Sequence, residues 1–263
     1  MQRIKTPDGT TISFDKYGSG PPLVLVHGGF SDHITNWQEC KALLAERFTI
    51  YAIARRGRGD SSATEGHSVA DEASDVVAVL RQIAEPTFLL GHSYGAVCSL
   101  NATRQYPVGV GKLVLYEPPR PDTLTPEQIS LLLTFAARED WDGMVEAFMG
   151  MQQVPPEEIE EIKKTPFWDV WIADAKATLN DLRALTRWAF RSGDYASLTM
   201  PVQLLIGSDS PRELYATDDL AAVLSDVRIT TLEGTAHEGN TMVPEQFVEK
   251  VSEFLLGVTA NAS

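Results

Sequence analysis

The sequence predicts an α/β fold, a mostly parallel central sheet with helices on both faces and a helical insertion, and three observations carry that expectation. Short continuous apolar runs recur at LVLV (23–26), FTIYAI (48–53), TFLLG (87–91), KLVLY (112–116), VQLLIG (202–207) and VRITTL (227–232). Runs of this kind mark strands covered on both faces. Helical periodicity lies between several of them, so parallel strands joined by helical crossovers are the economical connection. The alternation breaks between Pro118 and Met200, a stretch that has helix-like segments and carries four of the five tryptophans.

Taken in order, the chain opens on a hairpin, with a turn at Pro7-Asp8-Gly9 followed by the alternating run TTISFDKYG. After the breaker run Gly18–Pro22 comes the first central strand. The clearest helix follows Ser68, where Val69, Ala73, Val76, Val77, Leu80 and Ile83 recur at helical spacing and Ser68 with Asp71 forms a capping box. Further helices are expected over residues 36–46, 95–105, 213–224 and 244–256. The division is a core domain of residues 1–117 and 201–263 with a helical cap of residues 118–200, and the tail Val258–Ser263 is expected to fray.

Composition removes several function classes. A net charge of -14 repels a phosphate backbone, so no nucleic-acid partner is expected. The start MQRIKTPDGT lacks the apolar stretch of an export signal, and no run of about 18 apolar residues occurs, which leads to a cytoplasmic expectation without membrane insertion. Cys40 and Cys98 have no metal-ligand spacing and read as buried reduced thiols.

The chemistry concentrates at Gly91-His92-Ser93-Tyr94-Gly95, where a strand meets a helix. A nucleophile elbow needs this spacing, because the serine sits on a strained turn and the glycines let strand and helix approach. A serine hydroxyl needs a base, usually a histidine oriented by a carboxylate. Of the five histidines, His237 follows the last core strand in LEGTAHEGN, so the order serine then histidine is satisfied.

The pieces GSGPPLVLVHGG (18–29), Trp37, RRGRGDS (55–61), GHSYG (91–95), LVLYEPP (113–119), LLIGSDSP (204–211) and GTAH (234–237) together resemble the α/β-hydrolase superfamily along nearly the whole chain. The resemblance implies Ser93 as nucleophile, His237 as general base and an oxyanion hole from the N–H groups of Tyr94 and Gly29, with Phe30 as the alternative donor. Many members carry the acid three residues past the glycine that ends the penultimate strand, which here is Ser210, and Asp209 falls one place short. A second position used in the superfamily, after the strand that follows the nucleophile helix, holds Glu117. Glu117 is preferred and Asp209 kept as the alternative, since a carboxylate between an apolar strand and two prolines is costly to bury unpaired.

The expected activity is hydrolysis of an ester-like bond (ester, thioester, lactone or amide) in a small, hydrophobic substrate, as in esterases and carboxylesterases, with no cofactor and no metal. Phe30, His33, Trp141 and Trp168 are the expected pocket residues, although the aromatic side chains of the insertion equally suit its own core. The alternatives are a carbon–carbon hydrolase, lyase or perhydrolase using the same residues, and a ligand receptor with little turnover. A homodimer is left open.

Overall fold

Residues 1–63, 66–152 and 154–257 are described by the computed structural model, and the expected fraying of Val258–Ser263 lies outside them. In chain order the elements are β1 (Gln2–Lys5), β2 (Thr11–Gly18), β3 (Pro22–Val26), α1 (Lys41–Ala45), β4 (Thr49–Ala54), α2 (Val69–Ile83), β5 (Thr87–His92), α3 (Tyr94–Gln105) and β6 (Val110–Tyr116). The helices α4 (Pro126–Ala136), α5 (Trp141–Met151), α6 (Pro156–Ile162) and α7 (Pro166–Thr186) follow. The chain closes with β7 (Val202–Gly207), α8 (Thr217–Ala221), β8 (Val227–Leu232), α9 (Gly239–Met242) and α10 (Pro244–Leu256).

The strands form one sheet in the order β1-β2-β4-β3-β5-β6-β7-β8. The β1–β2 and β2–β4 pairs are antiparallel, and every pair from β4 to β8 is parallel. Side-chain alternation explains the continuous apolar runs. Val24, Val26, Leu113 and Leu115 enter the cluster under α2 and α3, whereas Leu23, Leu25, Val114 and Tyr116 enter the cluster with Trp37, Phe48 and Phe247 on the opposite face. Both faces are therefore dry, and ligands are left the carboxyl ends of the strands.

The capping box of α2 forms in both halves, with the Ser68 side chain accepting from the Asp71 N–H and the Asp71 side chain accepting from the Ser68 N–H. Two expected helices are shorter than their sequence pattern. Residues 36–46 give a single tight turn at Thr35–Trp37 and then only α1, because Asn36 is drawn into hydrogen bonds with the preceding loop. Residues 213–224 give a turn at Arg212–Leu214 and then α8. Tyr215 between them is extended and bridges Pro119, which interrupts the helix.

The four helices between β6 and β7 hold a cluster of their own that includes Leu132, Met144, Trp168, Ala175 and Leu179, with Trp141 and Phe148 packed against it. Their attachment to the sheet is largely polar on one side. Arg55 and Arg58, just past β4, reach Asp181, and Arg58 also reaches Asp174, both on α7. Arg55 bonds Glu72 of α2 as well, and all of these groups except Asp174 are at most 2% exposed.

Candidate active site

Ser93 stands between β5 and α3 with φ 54° and ψ −126°, a conformation costing on the order of 1–3 kcal/mol for a residue with a Cβ. Its surroundings hold it there. The Ser93 N–H donates to the Tyr116 carbonyl at 2.8 Å, and the Ser93 carbonyl accepts from Ala96 N–H at 2.8 Å. Any side chain at Gly95 would collide with the Val26 and His27 carbonyls, so only glycine lets α3 start this close to β3.

Glu117 follows β6 with φ 46° and is fully buried. Its N–H donates to the Leu205 carbonyl at 3.2 Å. The carboxylate accepts three hydrogen bonds: Oε1 from the Gly207 N–H at 2.7 Å and the Ser210 hydroxyl at 2.6 Å, and Oε2 from His237 Nδ1–H at 2.6 Å. Burial by itself would raise this carboxyl, but His237, Ser210 and Gly207 outweigh it and hold the group below the usual carboxylate range. Asp209 is solvent-exposed, accepts from the Ser208 hydroxyl at 2.8 Å, and has no bond to His237. Its backbone N–H is drawn to the Thr235 carbonyl, so the structure brings Glu117 and not Asp209 to the histidine.

The His237 loop is clamped from below. The Tyr116 hydroxyl donates to the Ala236 carbonyl at 2.7 Å and accepts from the Gly239 N–H at 2.8 Å. His92 Nε2 lies 3.0 Å from the His237 carbonyl, and the two rings stand 4.8 Å apart. Burial pushes the His92 imidazole well below its ordinary value. Tyr215 stacks on His237 with ring centroids 5.5 Å apart and planes 8° apart, its hydroxyl 3.2 Å from Nδ1. Burial disfavours the charged form of His237, yet the hydrogen bond and charge of Glu117 dominate and raise it above the ordinary histidine value.

The loop after β3 approaches the serine from the other side, and a Cβ placed on Gly28 would stand 3.1 Å from Ser93 Cβ. Phe30 has φ 51°, and its N–H donates to Thr178 Oγ1 at 2.6 Å. That bond corrects the alternative oxyanion assignment, because a donor already engaged by Thr178 is not offered to a substrate. Tyr94 stands in the first turn of α3, where N–H groups lack intrahelical acceptors.

The expected pocket residues fare unequally. The Phe30 ring meets Phe148 of α5 at 4.8 Å. His33 is buried beside Gly59, 3.6 Å from the Asp15 carboxylate, and is drawn toward β2 instead of Ser93. Trp168 is 5% exposed and donates its indole N–H to Asp142 at 2.7 Å, so it serves the helices' own cluster, which Trp141 also joins. Tyr215, Tyr116, Asn36 and Thr178 carry no motif that singles them out in the sequence: Tyr116 closes β6 beside Glu117, Asn36 bonds the Gly28 N–H, Tyr215 reaches His237 and Thr178 reaches Phe30 from α7.

Among the described residues, two groups of side chains have metal-ligand atoms close together, His92 with His237 and Glu238, and His67 with Glu72 and Asp181. In the first, His237 Nδ1 is committed to Glu117. In the second, Arg55 already neutralises Glu72 and Asp181. Cys40 and Cys98 are free and buried. No helix among the described residues is long and apolar enough to cross a membrane.

The strand order and its helical crossovers define the class to which the fold belongs. A model of the alpha/beta hydrolase family matches residues 23–250, and the chain belongs to that family. It is similar to an alpha/beta hydrolase from Sphaerobacter thermophilus, at 30% identity and a TM-score of 0.85, covering 97% of this chain and 100% of the other. Among curated relatives, 2-(acetamidomethylene)succinate hydrolase of Mesorhizobium japonicum is 26% identical, with 93% of this chain and 91% of that protein covered. An uncharacterised protein of Mycobacterium tuberculosis is 34% identical over 117 residues, a match that spans 43% of this chain and only 33% of that protein's length.

Proposed function

We propose that the chain is a serine hydrolase that cleaves an ester-like bond of a small substrate through an acyl-enzyme. The observation that carries this is the 2.6 Å bond from His237 Nδ1 to the buried carboxylate of Glu117, next to Tyr116, whose carbonyl accepts the N–H of a serine held at a positive φ. With Nδ1–H committed to Glu117, His237 keeps Nε2 as the basic nitrogen. His237 Nε2 takes the Ser93 proton while Ser93 Oγ attacks the carbonyl carbon. The oxyanion is held by the N–H groups of Gly29 and Tyr94, each worth about 3 kcal/mol in such sites. Collapse expels the leaving group, which takes the proton from His237. Water then attacks the acyl carbon, giving its proton to His237, and the acid leaves as Ser93 recovers its hydroxyl.

Residues 118–200 act as a cap over the strand ends in this reading, and Phe30 with Phe148 lends the site an apolar wall suited to a hydrophobic acyl group. Family membership and a full-length relative named as a hydrolase support the reaction class. A fluorophosphonate probe should label Ser93 in the wild type and leave Ser93→Ala unlabelled. Equal labelling of both would remove Ser93 from its role. Multiple turnover of p-nitrophenyl butyrate is expected, and a single slow acylation without turnover would favour a receptor.

A further inference from the structure

The loop from His27 to Phe30 is held at two consecutive peptides, and both holds lead to α7. The Gly28 carbonyl accepts from Arg55 Nη2 at 2.8 Å, with His27 Nδ1 also 2.8 Å away, and the His27 carbonyl accepts from Arg55 Nε at 2.9 Å. The Gly28 carbonyl and the Gly29 N–H belong to one planar trans peptide. Aiming the carbonyl at Arg55 therefore aims the Gly29 N–H the opposite way. Arg55 is itself fixed by Asp181 of α7 at 2.6 Å.

The next peptide is held by its other end. The Phe30 N–H donates to Thr178 Oγ1 at 2.6 Å, and a Cβ on Gly29 would stand 3.1 Å from the Thr178 methyl. Thr178 is 1% exposed, and its hydroxyl is fully used. It donates to Asp174 Oδ2 at 2.7 Å and accepts from both Phe30 and Arg58 Nη2, the latter at 3.2 Å. A hydroxyl has one donor and two acceptor sites, so none is left over. Asp174, Thr178 and Asp181 follow at spacings of four and three, which puts them on one face of α7. A positive φ at Phe30 is a conformation that a bulky side chain adopts only when its surroundings impose it.

We propose that Thr178 and Arg55 are positioning residues which fix the two peptides flanking Gly29 and thereby aim its N–H at the substrate oxyanion, so that α7 sets the geometry of acyl transfer. This rests on the acyl-transfer reading above. It makes the inserted helices part of the machinery for rate, separately from any part they take in choosing substrate.

The test compares Thr178→Val, which keeps the shape and loses the hydroxyl, with Thr178→Ser, which keeps the hydroxyl. For p-nitrophenyl butyrate, Thr178→Val should lower kcat roughly 10- to 100-fold with KM within about twofold, the size of loss that small misplacements produce. Thr178→Ser should recover to within about threefold of wild type. Hydrogen exchange at the Phe30 amide should be slow in wild type and Thr178→Ser and fast in Thr178→Val. Wild-type kcat in Thr178→Val, or equal impairment of the serine variant, would overturn the proposal. If the valine variant does not fold, Thr178→Ala gives the same comparison. A wild type that neither turns over nor labels at Ser93 overturns the acyl-transfer reading instead, and Phe30 exchange then decides whether Thr178 holds the loop.

Discussion

The ends of two adjacent strands, β6 and β7, each present a carboxylate close to His237 in sequence logic, and only one delivers it. Glu117 leaves β6 with a positive φ that turns its side chain back under the histidine, where the Gly207 N–H, the Ser210 hydroxyl and His237 Nδ1–H receive it. Asp209 leaves β7 one residue short of the usual acid position and ends in solvent. The usual position is filled by Ser210, whose hydroxyl donates to Glu117 at 2.6 Å. The β7 end thus solvates a charge instead of supplying one, and a buried acid is only as good as the donors that surround it.

Breaking this contrast should have unequal effects. Glu117→Gln is expected to lower kcat by about 10³- to 10⁴-fold, as loss of the orienting acid does in such triads, measured with p-nitrophenyl butyrate. The pH profile supplies the sign. Glu117 raises the His237 pKa by stabilising the imidazolium, so the acid limb of kcat/KM in the wild type lies above the ordinary histidine value of about 6.5. Removing the charge lets the proton leave at lower pH, so in Glu117→Gln that limb moves down. A limb that stays put would mean another group sets it.

Ser210→Ala is the intermediate case. Loss of a hydrogen bond to a buried charge costs about 1.5–3 kcal/mol, to be read as a lower urea midpoint at neutral pH, with a roughly tenfold lower kcat/KM by the same principle. Glu117 is depressed in the folded state, so its contribution is present above the ordinary carboxylate value and disappears as pH falls through the folded value. The stability gap between wild type and Ser210→Ala should therefore shrink on acidification. Asp209→Asn should change kcat/KM by less than about twofold, as exposed substitutions do. A larger loss there than in Glu117→Gln would transfer the acid role.

Much of the fold was readable because parallel strands covered on both faces leave continuous apolar runs that few other structures require. Helix ends were less readable where side chains had outside obligations, as with Asn36 bonded to the Gly28 N–H and Tyr215 bridged to Pro119. In the site, Ser93, His237 and Glu117 stand at strand ends, and strand ends can be found from the runs that precede them. Thr178 and Asp181 could not be placed that way, since their partners lie over 120 residues away in sequence. A signal was nevertheless present. Three arginines directly after a buried strand call for carboxylates from somewhere, and α7 carries Asp, Thr and Asp along one face of an otherwise amphipathic helix. The aromatic side chains of the insertion misled in part, because a helical unit with its own cluster must bury tryptophans such as Trp168 whether or not a ligand is near.

The Asp174, Thr178 and Asp181 stripe bears on protein engineering. Four helices with a private apolar cluster look like a detachable module, and exchanging them for those of a relative is a natural way to seek new substrates. A transplanted set of helices without that stripe would leave Arg55 and Arg58 buried with fewer counter-charges and Phe30 without its acceptor. Such chimaeras should fail in folding or in turnover for reasons unrelated to substrate fit, and carrying the three residues across is the first repair to make.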